Sequence, residues 1–430
     1  MYLATFLALG VWSLGAWFIV RDLRHPAVLY GLVWTAMLGL LALPIMDYPR
    51  VSVLTLVCVL LSAGVFTVAS VVGGLLHFYP PSQRTTREAA ARHIPSILLL
   101  SSVTLAGVAS SLYYYESRFG LSVLLSNPSY VRFSDRGGTG LYGILLLLPS
   151  LGTIALALRW MLTRERTWVT AIVLLTAFAY FSILPERSTI IATALWIAGM
   201  WLIQDMKFQF RSRRYLVAGS ALIAVLIAFF VLVSERTGKV DSISSFRYAI
   251  RADISDMWVD PYVYLTGSIP ALSTLVADSS LPIVEVLPQR TVYPAIRIAQ
   301  IVAAPVDGSR LSEAEEPAFI PFYFNTFTWL SAPLKDFGLL GSQIYVLIVG
   351  LICGAFYRAA RSTRLPVWVY LYGGVFAGTV LSIMTNRYSS LYWWVAAAFA
   401  CIVLVRPGYR LVHQFRSIKT QPIFKEGIND

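Results

Sequence analysis

The chain has 430 residues; 57% are apolar, and only 13% are charged. Charged residues make up about a quarter of an ordinary soluble domain, so this composition excludes a soluble enzyme, a disordered chain and a secreted disulfide-rich scaffold. The three cysteines and four histidines have no disulfide or metal-ligand spacing, and we expect neither kind of site. The composition therefore indicates a polytopic membrane protein.

Continuous apolar runs predict the membrane-spanning helices, since a helix needs about 20 apolar residues to cross the hydrocarbon. The first run lacks a basic flank and a small-residue cleavage site, so we expect it to be a retained helix. We expect an all-α polytopic membrane protein with about 11 transmembrane helices and a large, partly helical periplasmic loop. The eleven runs lie near residues 3–20, 27–46, 51–79, 94–115, 141–162, 168–185, 188–204, 216–233, 338–357, 366–384 and 391–405.

Lysine and arginine concentrate in alternate loops, such as those that hold Arg21 and Arg24 or Arg361 and Arg364. Because basic loops stay in the cytoplasm, this pattern predicts an N-terminus outside and a C-terminus inside. The net charge of +12 is then a topology signal and a contact for anionic headgroups, and nucleic acid is not needed to explain it.

The spans divide the chain into four predicted parts. Residues 1–233 form a transmembrane bundle of about eight helices, residues 234–337 a large periplasmic loop or domain, residues 338–405 the C-terminal transmembrane helices and residues 406–430 a basic cytoplasmic tail. A loop of this length in a membrane protein is usually functional. Within it, residues 243–258 predict an amphipathic helix with Arg247 and Arg251 on one face.

Several arginines lie at the predicted outer edges of the membrane. Arg187 opens the seventh run, Arg387 lies between the last two, and Arg290 and Arg297 flank a Tyr-Pro pair in the large loop. Arginine at such depth is costly and often functional, although a snorkelling side chain or a local ion pair is the alternative for each. Guanidinium groups bind phosphate with a bidentate fork and keep their proton, so together they predict an anion site.

Other reaction classes lack the residues that they need. No histidine lies in a predicted outer segment, which argues against Ser-His-Asp hydrolysis and zinc chemistry, and no Walker A or dinucleotide glycine pattern occurs. A polyprenyl-pyrophosphate substrate fits better. Its lipid tail needs a membrane groove, its pyrophosphate needs fixed cations, and its sugar needs a polar, aromatic vestibule.

One stretch carries a family resemblance. The segment Asn325-Thr-Phe-Thr328 is followed by Asp336-Phe-Gly-Leu-Leu-Gly341, which leads into the ninth run. With the large outer loop and Arg187 at the head of a span, the chain resembles the oligosaccharide repeat-unit polymerases (O-antigen polymerases, Wzy-type). The hydropathy plan covers nearly the whole chain and the motifs about residues 187–357, while eleven spans depart from the twelve common in that family.

The resemblance implies a metal-independent periplasmic glycosyltransferase of the GT-C kind, without a cofactor, in the bacterial inner membrane. It would transfer the growing glycan from undecaprenyl pyrophosphate onto a new lipid-linked repeat unit, with inversion at the anomeric carbon. Its partners would be the lipid-linked oligosaccharide substrate, membrane lipids, a chain-length regulator and a flippase. The residues expected to hold the pyrophosphate are Arg187, Arg247, Arg251, Arg290, Arg297 and Arg387.

The other site residues follow from the same reaction. The candidates for the base that accepts the acceptor's proton are Asp256, Asp253 and Glu235. We expect Asp336 to cap the helix that it enters. Asn325 and Thr328 either hold a sugar or only fix their loop. Five aromatic residues could stack on sugar rings or belong to an interfacial belt, namely Tyr264, Tyr323, Trp258, Tyr262 and Trp329.

Three other functions stay open at this point. An O-antigen ligase would have a similar plan, but we would expect a histidine in its large outer loop. A transporter or flippase of lipid-linked oligosaccharide would show internal repeats and charged or broken helices at the midplane. A structural scaffold would explain the spans but not the basic outer edge.

Overall fold

The computed structural model describes most of the helical chain. The described residues are 2–76, 94–128, 130–131, 145–163, 167–184, 187–204, 228, 231, 247–251, 255–277, 289–302 and 317–404. The elements in these ranges are helices and one antiparallel hairpin. In chain order they are α1 Tyr2–Val20, α2 Pro26–Leu41, α3 Val53–Leu75, α4 Ile97–Phe119, α5 Leu121–Ser126, α6 Leu148–Thr163, α7 Trp168–Ile183, α8 Arg187–Gln204, α9 Asp256–Thr266, α10 Ser268–Ala277, α11 Tyr293–Val302, β1 Ala318–Phe319, β2 Tyr323–Phe324, α12 Ser331–Thr363, α13 Pro366–Leu381 and α14 Leu391–Val403.

Four of these helices, α1, α3, α4 and α12, are long and apolar enough to cross a membrane, and six further apolar helices are shorter. These ten helices correspond to ten of the eleven predicted runs, which confirms the expected helical, membrane-type architecture in the described part. The run at 216–233 lies outside the described residues except for 228 and 231. The number of spans and the orientation therefore stay predictions.

Polar side chains at the helix starts explain where several helices begin. Ser52 accepts a hydrogen bond from the Thr55 N–H at 3.1 Å, and Ser390 accepts one from the Trp393 N–H at 3.4 Å. His25 acts in the same way for α2, because its Nδ1 accepts from the Ala27 N–H at 3.2 Å. Each cap satisfies a backbone donor that has no partner inside its helix.

Among the described helices, α3 and α12 share a particularly close and extensive contact. A side chain on Gly354 would overlap the carbonyl oxygen of Ser70, and one on Gly350 would lie 2.8 Å from the Ala69 Cβ. Gly73 on α3 would likewise overlap the Leu351 carbonyl oxygen. Small residues at this spacing let two backbones approach, and van der Waals packing then holds the helices together in lipid.

Polar groups tie the helices together at the end of the bundle where α1 and α12 end and α2 begins, here called the lock end. Asp22 is buried and accepts hydrogen bonds from Arg24 Nε at 2.8 Å, from the Tyr357 hydroxyl at 2.6 Å and from Arg361. Although burial acts to raise the pKa of Asp22, the hydrogen bonds from Arg24 and Tyr357 outweigh it and hold the pKa below its usual range. Arg24 also donates to the Leu202 carbonyl of α8 at 3.2 Å.

The opposite end, called the site end, carries the described parts of the predicted large loop. There the Trp329 N–H donates to the Ser382 carbonyl at 2.8 Å, and Ser268 Oγ donates to the Ile383 carbonyl at 2.5 Å. Helix α9, the hairpin and the α2–α3 connection share one apolar cluster that includes Met46, Val259 and Phe324. The described loop segments thus pack on the helix ends.

The prediction of an amphipathic helix over residues 243–258 is wrong for residues 247–251, while the last residues of that range are helical. Residues 247–249 form a turn, Ile250 pairs with Met46 in an antiparallel bridge, and the helix begins only at Asp256. The Asp47 N–H donates to the Ala249 carbonyl at 2.7 Å, and the Arg251 N–H donates to the Ile45 carbonyl at 2.8 Å. Pairing with a distant segment has overridden the local charge spacing.

We expect Gly354→Ala to lower the free energy of unfolding by about 2 kcal/mol, because its methyl group overpacks the contact with α3. Gly15→Ala is the matched control, since a side chain there meets nothing within 4 Å and alanine favours a helix. Thermal unfolding in detergent measures both. Equal effects of the two substitutions would contradict the close contact.

Acid should weaken the lock end through His25. Burial lowers the pKa of His25 to about 4, whereas the unfolded side chain titrates near 6.5. The stabilisation from the neutral ring is full above pH 6.5 and is lost as pH falls towards 4, with a loss of about 2 kcal/mol at pH 5. In His25→Asn, which keeps a cap acceptor, the change in melting temperature between pH 7.5 and pH 5 should shrink; a parallel change in both proteins would refute this role.

Candidate functional site

At the site end, hydrogen bonds join Asp336 of α12 to the turn that precedes α11. Asp336 is fully buried, and its Oδ2 accepts from the Thr291 N–H at 2.7 Å, from Thr291 Oγ1 at 2.8 Å and from the Arg290 N–H at 3.0 Å. The Arg290 guanidinium lies 3.6 Å from the other carboxylate oxygen, and its side chain stays 36% exposed. The carboxylate thus fixes the Arg290 backbone while the cation still reaches solvent.

Gly338 sets the position of Asp336. Helix α12 is broken at Gly338, which has φ 66° and ψ −169°, so a short piece from Ser331 precedes the long piece. Positive φ of this kind suits glycine, because a side chain would clash there.

We expected Asp336 to cap the helix that it enters. That expectation is wrong, because Asp336 lies inside the first piece and accepts hydrogen bonds from the turn before α11.

Arg387 lies in the turn between α13 and α14 and is half-buried. Its carbonyl accepts from Ser390 Oγ at 2.7 Å. The neighbouring Asn386 faces α12, because its Nδ2 lies 3.1 Å from the Tyr345 hydroxyl. The turn that holds Arg387 therefore contacts α12 at Tyr345, in the part of the helix that follows Asp336.

Arg187 begins α8, and the structure describes only its backbone. Further along α8, Thr193 contacts Ser150 of α6, and Ser150 lies 2.6 Å from the Tyr392 hydroxyl at the start of α14. These contacts place the start of α8 at the site end. Arg297 lies in α11, which contacts α14, and its side chain is also outside the described part.

Four of the six predicted arginines are thus brought to neighbouring elements of the site end, namely Arg187, Arg290, Arg297 and Arg387. The other two belong to the cluster around α9 and the hairpin. Arg251 is exposed and pairs with exposed Asp47 at 2.6 Å, and Arg247 is exposed. The Asp47 pair was not predicted, because these two residues are far apart in the chain.

Of the three candidate catalytic carboxylates, Asp256 alone lies within the described residues. Asp253 and Glu235 lie outside the described residues, and of Asp256 only the backbone at the start of α9 is described. Within the described part of the chain, no group of three His, Cys, Asp or Glu side chains could hold a metal ion.

The predicted glycan residues fall into two sets. Tyr323 is 78% exposed and Asn325 is exposed, so both are accessible. Thr328 is fully buried, and its Oγ1 accepts from the Leu330 N–H at 3.4 Å, so its described contacts fix the loop. Tyr264 is half-buried with its ring 6.0 Å from that of Phe324.

Two further aromatic candidates have structural roles. Trp329 is fully buried, donates to the Tyr30 hydroxyl at 3.0 Å and has its ring 5.9 Å from that of Tyr388. Tyr262 is buried, and its hydroxyl donates to the Leu40 carbonyl at 3.0 Å. Trp258 remains half exposed, at 48%.

Sequence reasoning missed the partners that position these residues. Thr291 contacts Asp336, and Tyr345 contacts the Arg387 turn through Asn386, only because of the fold. The Asp-Phe-Gly sequence was the one signal that marked Asp336 and Gly338 in advance. Comparison with known protein families, with curated proteins and with solved structures gave no match for this chain.

Asp336→Ala should lower the free energy of unfolding by about 3 kcal/mol, because the Arg290 and Thr291 donors lose their buried acceptor. Asp47→Ala is the control, since its pair with Arg251 is exposed on both sides and should contribute less than about 1 kcal/mol. Melting temperatures of the purified proteins test the difference. Similar losses in both variants would mean that Asp336 does not hold the turn.

Proposed function

We propose that this protein polymerises undecaprenyl-pyrophosphate-linked oligosaccharide repeat units at the periplasmic face of the bacterial inner membrane. The growing glycan would move from one lipid pyrophosphate onto a new lipid-linked repeat unit of O-antigen or a related surface polysaccharide. The observation that supports this most directly is the partly exposed Arg290, held beside the fully buried Asp336 at the break in α12.

The arginines would act on the leaving group. In the transfer, a hydroxyl of the new repeat unit attacks the anomeric carbon of the growing glycan, and the bond from that carbon to the pyrophosphate oxygen breaks. The electron pair of that bond leaves with the pyrophosphate, and a fixed guanidinium stabilises the charge that develops there. Attack from the face opposite the leaving group inverts the anomeric centre.

Positioning accounts for the role of Asp336. A guanidinium that is oriented before the substrate arrives costs no reorganisation during the reaction, which is how fixed charges lower a barrier. Asp336 fixes the Arg290 backbone by hydrogen bonds. Arg387 lies in a turn that contacts α12 at the same end. Arg187 begins α8, which is joined to the start of α14 through Ser150. A carboxylate from Asp256, Asp253 or Glu235 would accept the proton of the attacking hydroxyl.

The membrane location of the reaction follows from the same substrate. A polyprenyl chain partitions into the bilayer, so its pyrophosphate lies at the membrane surface beside the ends of spanning helices. The four helices long and apolar enough to span provide such ends, and α12 carries Asp336 in its first piece. Pyrophosphate is already a good leaving group, so the proposal includes no metal ion.

The test is polymerisation by purified protein in proteoliposomes with the lipid-pyrophosphate-linked repeat unit of the native pathway, resolved as a ladder on a gel. Wild type should give a ladder that persists in EDTA. Arg290→Ala should lower kcat about 100-fold, because a fixed charge at the leaving group is lost, and Arg290→Lys should retain part of the rate. Arg187→Ala and Arg387→Ala extend the test to the other elements.

Arg358→Ala is the matched control, because Arg358 is an exposed arginine of the same helix, α12, towards its lock end. A ladder that is indifferent to Arg290 and Arg187 would leave the function standing and remove the site. If wild type gives no ladder, the same proteoliposomes are tested for glycan transfer onto lipid A core, which would indicate a ligase. Movement of intact substrate across the bilayer would indicate a transporter.

A further inference from the structure

Three exposed aromatic side chains lie together on the hairpin and the turn that contacts it. We call Tyr248, Phe319 and Tyr323 the aromatic surface; they are 72%, 59% and 78% exposed. Phe319 and Tyr323 are register partners across β1 and β2, and their rings meet edge to face at 5.5 Å. Tyr248 is joined to the tip of the hairpin, because its hydroxyl donates to the Pro321 carbonyl at 2.6 Å.

The aromatic surface is held firmly from below. Ile320 and Phe324 of the hairpin are buried, and they pack with Ala249 of the turn and Val259 of α9 in one apolar cluster. Ala249 is also anchored by its carbonyl, which accepts from the Asp47 N–H at 2.7 Å. Exposed rings on such a support lose little conformational freedom when a ligand covers them.

The composition of this surface differs from that of the helix surfaces. The exposed apolar side chains of α1 are mainly aliphatic, with the aromatic Trp12 and Phe18 among Leu3, Leu7, Val11, Leu14 and Ile19. In residues 247–251 and 317–325, each large apolar side chain that is exposed is aromatic. Exposed charged and amide residues flank these rings in the chain, namely Arg247, Arg251 with its partner Asp47, and Asn325.

We propose that the aromatic surface binds the oligosaccharide part of the lipid-linked substrate, with pyranose rings stacked on Tyr248, Phe319 and Tyr323. This inference rests on the proposed function and extends it to a glycan site on other elements than those that carry Arg187, Arg290 and Arg387. The apolar face of a pyranose ring fits an aromatic ring, while its hydroxyls need donors and acceptors at the edge, which the Arg251–Asp47 pair and Asn325 provide.

The hydrogen bond of Tyr248 supports stacking. Because its hydroxyl already donates to Pro321, the ring is held in place while the side chain stays 72% exposed. Insertion into the bilayer is the competing role for exposed aromatic residues, and the exposed ion pair between Arg251 and Asp47 argues against it. Burial of an exposed ion pair in hydrocarbon is costly.

The experiment uses the full chain in nanodiscs and, as the probe, the repeat-unit oligosaccharide released from its lipid by mild acid. Saturation-transfer NMR and titration measure its binding without any need for catalysis. Tyr323→Ala and Phe319→Ala should each weaken binding roughly tenfold, because each removes a stacking ring. Tyr323→Trp should bind like wild type. Tyr113→Ala is the control, since Tyr113 is a tyrosine of α4 that is 65% exposed.

The same variants separate this inference from the proposed function. In the ladder assay, Tyr323→Ala should raise KM and leave kcat unchanged, since stacking on a sugar ring other than the reacting one stabilises substrate and transition state alike. Binding that is equal in wild type, Tyr323→Ala and Phe319→Ala would overturn the glycan site even if the ladder forms. Binding that depends on these rings would support the site even if no ladder forms.

A second measurement tests the membrane alternative. A fluorophore attached to Tyr323→Cys, in a variant without the three native cysteines, should be quenched by iodide in the water. Because the Tyr323 ring is lost, protection from iodide should need roughly ten times the oligosaccharide concentration that saturates wild type. Quenching by nitroxide-labelled lipid would place the aromatic surface in the bilayer and overturn the proposal.

Discussion

The close contact between α3 and α12 is the constraint on which the other contacts depend. Gly350 and Gly354 bring the backbone of α12 against α3, where a larger side chain would overlap backbone atoms. In lipid, helices gain nothing by hiding apolar surface from water, so packing at short distance must hold them. Because α12 runs from the site end to the lock end, its position on α3 also sets where Asp336 and Arg361 lie.

A buried carboxylate is used at each end of α12, with different results. Asp22 is surrounded by side-chain donors from Arg24, Tyr357 and Arg361, which neutralise it and join helices. Asp336 takes most of its hydrogen bonds from the turn that holds Arg290 and Thr291. A buried charge is tolerated only when it is fully hydrogen-bonded, so removal of either set of donors would destabilise that end of the bundle. Both leave an arginine partly in solvent, Arg361 at the lock end and Arg290 at the site end, but only Asp336 also holds the backbone N–H of that arginine.

The proposed substrate gives these features a common purpose. A lipid-linked oligosaccharide has an apolar tail, a doubly charged phosphate linkage and a polar glycan, and each part needs a different surface. The apolar helices suit the tail, the arginines beside α12 suit the pyrophosphate, and the aromatic surface on the hairpin suits the sugar rings. These surfaces meet at the site end because the described loop segments pack on the ends of the spanning helices.

The sequence by itself determined the class of protein and most of its helices. Long apolar runs and their polar caps are local features, so ten of the eleven predicted runs correspond to described helices. The arginines and the Asp-Phe-Gly sequence also marked the end of the bundle where the candidate site lies. Tertiary structure decided what these residues do. Asp336 accepts hydrogen bonds from a distant turn, residues 247–251 pair with the α2–α3 connection, and Thr328 and Trp329 are buried. Such contacts join segments far apart in the chain, and hydrogen-bond pairing and burial between them leave no local sequence pattern from which they could be read.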